Sequence, residues 1–100
     1  MRIVLAPMEG LADVHLRRLL TAQGGFDWVV SEFVRVVDRP CPDRVFQSIC
    51  PELLHGGRTE SGTPVRVQLL GNHLEAMAAS AQRAVALGSH GIDINFGCPS

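Results

Sequence analysis

Four short stretches hold the residues that could do chemistry: Ala6-Pro7-Met8-Glu9-Gly10, Ser31-Glu32-Phe33-Val34-Arg35, Gln68-Leu69-Leu70-Gly71 and Asp93-Ile94-Asn95-Phe96-Gly97-Cys98-Pro99-Ser100. Cys98 follows a glycine that lets backbone come close to a ligand and precedes a proline that stiffens the loop. A thiol with a pKa near ~8.5 is mostly protonated at neutral pH and can give up a proton. On residue type alone a free cysteine reads as a small buried hydrophobe, and it is the position at a strand's C-terminal end that sets the proton-donor role level with it. Cys41 and Cys50 lack such a setting and read as structural. Strand period sorts the remaining groups. Asp93 and Asn95 fall on one face with Ile92, Ile94 and Phe96 on the other, and Arg66 and Gln68 lie opposite Val67 and Leu69. Buried polar side chains need partners. Arg66 and Asp93 lie deeper and read as a hydrogen-bonded polar layer without a ligand. Gln68 and Asn95, nearer the strand ends, read as ligand contacts to carbonyls and ring nitrogens.

These readings depend on the elements that carry the residues. Ile3–Ala6, Trp28–Val30, Val65–Leu70 and Ile92–Phe96 are apolar runs of strand length. The first two are continuous rather than alternating, as in strands covered on both faces of a parallel sheet. Between Asn72 and Leu87, the residues Leu74, Met77, Ala78, Ala81 and Val85 form one helical face, with Asn72 as N-cap and Gly88 at C′. A second helix starts from Asp13 as N-cap and carries Leu16, Leu19 and Leu20 on one face. Asp43 to Cys50 predicts a short helix closed by Pro51, and His55 to Pro64 predicts a loop.

The order β-α-β-α-β-α-β implies a parallel sheet with right-handed crossovers. An open doubly wound sheet and part of a (β/α)8 barrel share that order. After the first strand comes Pro7-Met8-Glu9-Gly10 rather than G-x-G-x-x-G, so the dinucleotide fingerprint is missing. No phosphate-binding loop of the Walker type is present. In a barrel, functional groups gather at the C-terminal strand ends, where the four chemistry-bearing stretches lie. A barrel usually needs ~250 residues, so this chain supplies the first half, an α/β unit of four parallel strands with intervening helices.

Composition bounds the rest. A chain of 100 residues suits one small domain, and 46% apolar with 19% charged residues disfavours disorder. The net charge of -1 argues neither for nor against a nucleic-acid partner, although all nine basic residues are arginine. Three cysteines without a C-x-x-C pair point to a reducing compartment. The N-terminal apolar run is too short for a signal peptide or a membrane helix, so a cytoplasmic location without a membrane partner is expected.

Leu5-Ala6-Pro7-Met8-Glu9-Gly10, Glu32-Phe33-Val34-Arg35-Val36, Val67-Gln68-Leu69-Leu70-Gly71 and Asp93 to Ser100 resemble, in order, the strand-end motifs of the tRNA-dihydrouridine synthases. Asn95-Phe96-Gly97-Cys98-Pro99-Ser100 is the most specific of these. Glu32 to Val36 and Ile49 to Leu53 are most similar to the bacterial C-type subfamily, which acts on uridine 16 in the D-loop of tRNA. The resemblance implies that residues 1–100 are the N-terminal part of an FMN-binding (β/α)8 barrel, with the rest of the barrel and a C-terminal helical domain absent. It further implies NADPH as reductant, hydride transfer from flavin N5 to C6 of the uracil, and protonation of C5 by Cys98. Pro7, Met8 and Glu9 would line the flavin ring, Gln68 would hydrogen-bond it, and Arg35 and Asn95 would contact the tRNA. No metal is implied. Expected lysine and histidine residues near the flavin have no counterpart here, so the 100-residue chain by itself is expected to be inactive and to self-associate through open sheet edges. Two alternatives stand beside this reading: another FMN barrel that reduces a free pyrimidine, and a non-catalytic self-associating fragment.

Overall fold

Val65–Leu70 alternates between apolar and polar residues, and its burial alternates in step. Val65, Val67 and Leu69 are fully buried while Arg66, Gln68 and Leu70 are half-buried. The computed structural model of the chain describes residues 2–6 and 13–96, and this segment is strand β3 of its sheet. The other strands are β1 (Val4–Leu5), β2 (Trp28–Arg35) and β4 (Ile92–Asn95). All are parallel, in the order β1-β2-β3-β4. Helices α1 (Val14–Thr21), α2 (Asp43–Ile49) and α3 (Leu74–Ala86) connect them. Phe46 of α2 and Ala76, Met77 and Ala84 of α3 pack with Val29, Val34, Val65, Val67 and Leu69 in one core. That core lies on one face of the sheet. The other face carries Arg66, Gln68, Asp93 and Asn95, as in an opened barrel.

β2 is longer than the Trp28–Val30 run predicts. The strand continues to Arg35 through an irregularity, since Val30 stands opposite Arg66 but Phe33 stands opposite Gln68. This bulge places an extra residue on β2 and re-aims the side chains from Phe33 to Arg35. Fully buried Ser31 repairs the ladder. Its Oγ accepts the N–H of Gln68 at 3.2 Å and donates to the carbonyl of Glu32 at 2.8 Å.

The helices keep their expected places but present different faces. In α1, Asp13 is the N-cap and accepts the N–H of Leu16 at 2.9 Å. The predicted Leu16/Leu19/Leu20 face is not the buried one. Leu19 and Leu20 are exposed, whereas Arg17 and Thr21 are fully buried. Arg17 can be buried because Glu52 grips it with two bonds, of 2.7 Å and 2.9 Å, and the carbonyl of Ile49 accepts a third at 3.1 Å. Thr21 donates to the carbonyl of Arg17 and meets the Thr59 hydroxyl. Hydrophobic periodicity does not register such internally satisfied polar contacts.

For α3 the N-cap is His73 rather than Asn72, its Nδ1 accepting the N–H of Ala76 at 3.1 Å. The C-terminus closes as expected. Gly88, at φ +121°, donates to the Val85 carbonyl and Ser89 donates to that of Ala84. Leu74, Ala78 and Val85 are exposed, and the buried face is Ala76, Met77, Ser80 and Ala84. Small side chains let α3 approach the sheet closely, and Ser80 Oγ accepts the N–H of Cys41 at 3.0 Å. A short 3-10 helix, Pro51–His55, follows α2 and precedes the expected loop. None of the described helices is long and apolar enough to cross a membrane.

Candidate active site

Parallel pairing carries the polar face of the sheet in rows. Paired residues in a parallel ladder project to the same side, so Arg35, Leu70 and Asn95 form the row nearest the C-terminal edge. Phe33, Gln68 and Asp93 form the row beneath it, and Val30 and Arg66 lie below those. The sequence sets Arg66 and Asp93 deeper than Gln68 and Asn95; Arg66 does lie deeper, but Asp93 stands in the same row as Gln68, one row beneath Asn95.

The deepest row is filled by the protein itself. The Arg66 guanidinium carbon stacks 4.0 Å from the centroid of the Trp28 ring, and Arg2 lies 5.6 Å from the same ring. Gly91 makes room, since a side chain there would stand 3.0 Å from Arg66 Nε, and its φ of +135° suits glycine. At Arg66 an aromatic face takes the place of the expected hydrogen-bonded layer, with no hydrogen bond to its side chain among the described residues. Asp93 departs from that expectation. It is half-buried and has no hydrogen-bond or ion-pair partner among the described residues.

Higher up, the environment opens. The backbone of Gln68 is fixed by Ser31, and its half-buried carboxamide has no partner among the described residues. Such a group offers both an N–H donor and a carbonyl acceptor to a planar heterocycle. Asn95 is exposed, and its carbonyl accepts the N–H of Gly71 at 3.1 Å, which ties β4 to the turn after β3. Arg35 is exposed at the outer end of β2, 6.0 Å from the ring centroid of Phe33. Pro7, Met8, Glu9 and Cys98 lie outside the described residues. In sequence they follow β1, which ends at Leu5, and β4, which ends at Asn95.

Cys41 and Cys50 are buried free thiols, in line with structural roles. Burial pushes both up. Cys50 is driven to about 12, first by desolvation and then by the Glu52 charge, so it stays a protonated hydrophobe. Among the described residues no group of three or more His, Cys, Asp or Glu could hold a metal ion.

The family profile described as dihydrouridine synthase matches residues 4–100. Proteins named tRNA-dihydrouridine(16) synthase are similar over the whole chain. That of Pasteurella multocida is 60% identical over 100 residues, which are 32% of its own length. Those of Shewanella oneidensis and Salmonella typhimurium are each 58% identical over 100 residues, again 32% of each. The chain thus spans about a third of the length of the curated relatives it matches.

Proposed function

Because the chain belongs to the dihydrouridine synthase family, we propose that it forms the first part of a barrel that reduces a uridine in tRNA to 5,6-dihydrouridine. Residues 1–100 are then the N-terminal portion of the FMN-binding domain. The target is uridine 16 of the D-loop, the position that the relatives' names carry. FMN held on this face, with NADPH as reductant, would supply the hydride chemistry for the uracil ring.

This chain's residues hold and protonate. The observation that carries the reading is the Gln68 carboxamide, which has no partner among the described residues and lies half-buried one row beneath Asn95 on the polar face. It suits the carbonyls and ring nitrogens of a flavin. Pro7, Met8 and Glu9, which follow β1 in sequence, line the ring. Arg35 and Asn95 meet the tRNA in the outermost row. A uridine must leave its stack to reach such a site, as base-modifying enzymes require. Cys98 gives its thiol proton to C5 as hydride arrives at C6, and the resulting thiolate recovers a proton from solvent. With tRNA as its substrate, the protein works in the cytoplasm.

The test uses cells that carry the full-length gene, lack it, or carry Cys98→Ala. Dihydrouridine at position 16 is expected with the wild-type gene and absent without it. Purified Cys98→Ala protein should retain bound flavin while its reoxidation by tRNA slows by about 10²–10⁴-fold, the usual contribution of a general acid. Unchanged dihydrouridine after deletion would overturn the assignment, and wild-type reoxidation in the variant would remove Cys98 from the chemistry.

A further inference from the structure

Beyond the row of Arg35, Leu70 and Asn95, a groove of about 440 Å³ opens at the C-terminal edge of β2 and β3. It is lined by Arg35, Val36, Val37, Leu70, Gly71, Asn72 and His73. Its floor is built by the final cross-strand bond of this pair, Val36 N–H to the Leu70 carbonyl at 2.8 Å. Gly71 is required there, because a side chain at that position would run into the Val36 carbonyl. No carboxylate is among the lining residues, and Arg35 contributes a guanidinium. A larger cleft of about 540 Å³, between α1 and the loop after the 3-10 helix, has both Glu52 and Glu60 in its wall. That cleft sets Arg18 and Arg58 against its two carboxylates, whereas the strand-edge groove offers the Arg35 cation with no lining carboxylate, a balance that suits an anion.

His73 adds a defined donor. Its Nδ1 is occupied as acceptor of the Ala76 N–H, so the ring carries its proton on Nε2, and the side chain is exposed where it lines the groove. Arg35 and His73 come from different strand-end turns, and the ladder between β2 and β3 fixes their separation.

We propose that this groove clamps a phosphate of the tRNA strand beside the target nucleotide, Arg35 supplying charge and a planar fork and His73 a neutral N–H. The clamp rests on the proposed action on tRNA and adds a contact to it. Phosphate contacts position a nucleic acid without reading its sequence. A hold on the neighbouring phosphate would steady the strand while the target base is turned out.

The two groups leave different signatures. Arg35→Gln removes a cation, so the slope of log affinity against log salt should become shallower by about 0.7–0.9, the value for one phosphate contact. His73→Asn keeps a good capping side chain while removing the ring N–H. It should weaken binding about three- to tenfold, as for one neutral hydrogen bond, with an unchanged slope. The measurement is binding of an unmodified tRNA transcript by the full-length protein across a salt series, with dihydrouridine formed in the same transcript as a second readout. Wild-type slope and affinity in both variants would overturn the clamp, and would leave the tRNA reading intact if the wild type forms dihydrouridine. A weaker Arg35→Gln complex with the wild-type slope would also overturn it. Slope and affinity changes as expected, with no dihydrouridine from the wild type, would uphold the clamp and sink the reductase reading. A wild-type protein that neither binds nor modifies the transcript would end both.

Discussion

The hydroxyl of Ser31 accepts the backbone N–H of Gln68 at 3.2 Å, across the bulge that interrupts the β2–β3 ladder. Without that oxygen, the N–H of the residue that carries the candidate flavin contact would lose its partner inside the sheet. Leaving such a donor unsatisfied costs about 1–3 kcal/mol. Ser31→Ala should lower the unfolding free energy by that amount, read as a shift of the urea midpoint at constant slope. A midpoint unchanged from wild type would mean that the bulge does not need this hydroxyl.

A second prediction concerns the buried pair of Arg17 and Glu52, whose side chains are 1% and 5% exposed. Burial pulls the Arg17 guanidinium down, but the hydrogen bonds and charge of Glu52 outweigh it and hold it above its ordinary value. Glu52→Leu takes the gripping carboxylate from a buried cation and should cost about 3–5 kcal/mol. Arg17→Met together with Glu52→Leu replaces the pair with apolar volume and should recover much of that loss. A double variant as unstable as the sum of the single ones would show that the two residues are not coupled.

How far these features could be read in the sequence varied with their physical origin. The four strands were legible because a run such as Val65–Leu70 alternates with the strand period, and the caps at Asp13 and Gly88 follow from local backbone chemistry alone. The same period sorted Gln68 and Asn95 from Val67 and Ile94, so the candidate site was readable as a face. Arg17 and Glu52 are 35 residues apart, and nothing local marks an arginine that will be buried by a distant carboxylate. The bulge at Ser31 depends on the register against β3, which the β2 sequence does not carry by itself. His73 displaced Asn72 as the cap because histidine can accept through Nδ1, a role in which asparagine is the more usual residue. Gly71 in its turn, pressed against Val36, could only be understood once both strand ends were seen together.

The cap of α1 gives a prediction in pH. The hydrogen bond from the Leu16 N–H holds the Asp13 carboxyl below its ordinary 3.8. A carboxyl depressed in the folded state contributes stability that is present above its unfolded value and lost as pH falls through the folded one. Wild type should therefore lose the contribution of this cap as the medium is acidified below 3.8. Asp13→Asn keeps a capping oxygen but does not titrate, so its stability relative to wild type should improve over that same acid range. Chemical denaturation of both proteins from about pH 6 to pH 2 reads the difference, and a constant gap would show that the cap does not ionise in this window.

The last prediction concerns the 100-residue chain by itself. In the four-stranded sheet β1 pairs only with β2 and β4 only with β3, so the outer sides of β1 and β4 have no strand partner among the described residues. Both are apolar: Ile3 is 46% exposed and Val4 39%, while Ile94 and Phe96 are 51% and 57% exposed. Unpaired backbone beside apolar side chains is a template for another strand. The polar face of the sheet likewise has no opposing wall among the described residues, so Gln68 could touch a flavin without enclosing it, whereas small-molecule sites bury about 70–90% of their ligand. The isolated chain should therefore self-associate and bind FMN weakly or not at all. Light scattering across a concentration series and an FMN fluorescence titration measure the two effects separately. A soluble monomer that quenches FMN at micromolar concentration would show that four strands already enclose the ring and that the open edges do not drive association.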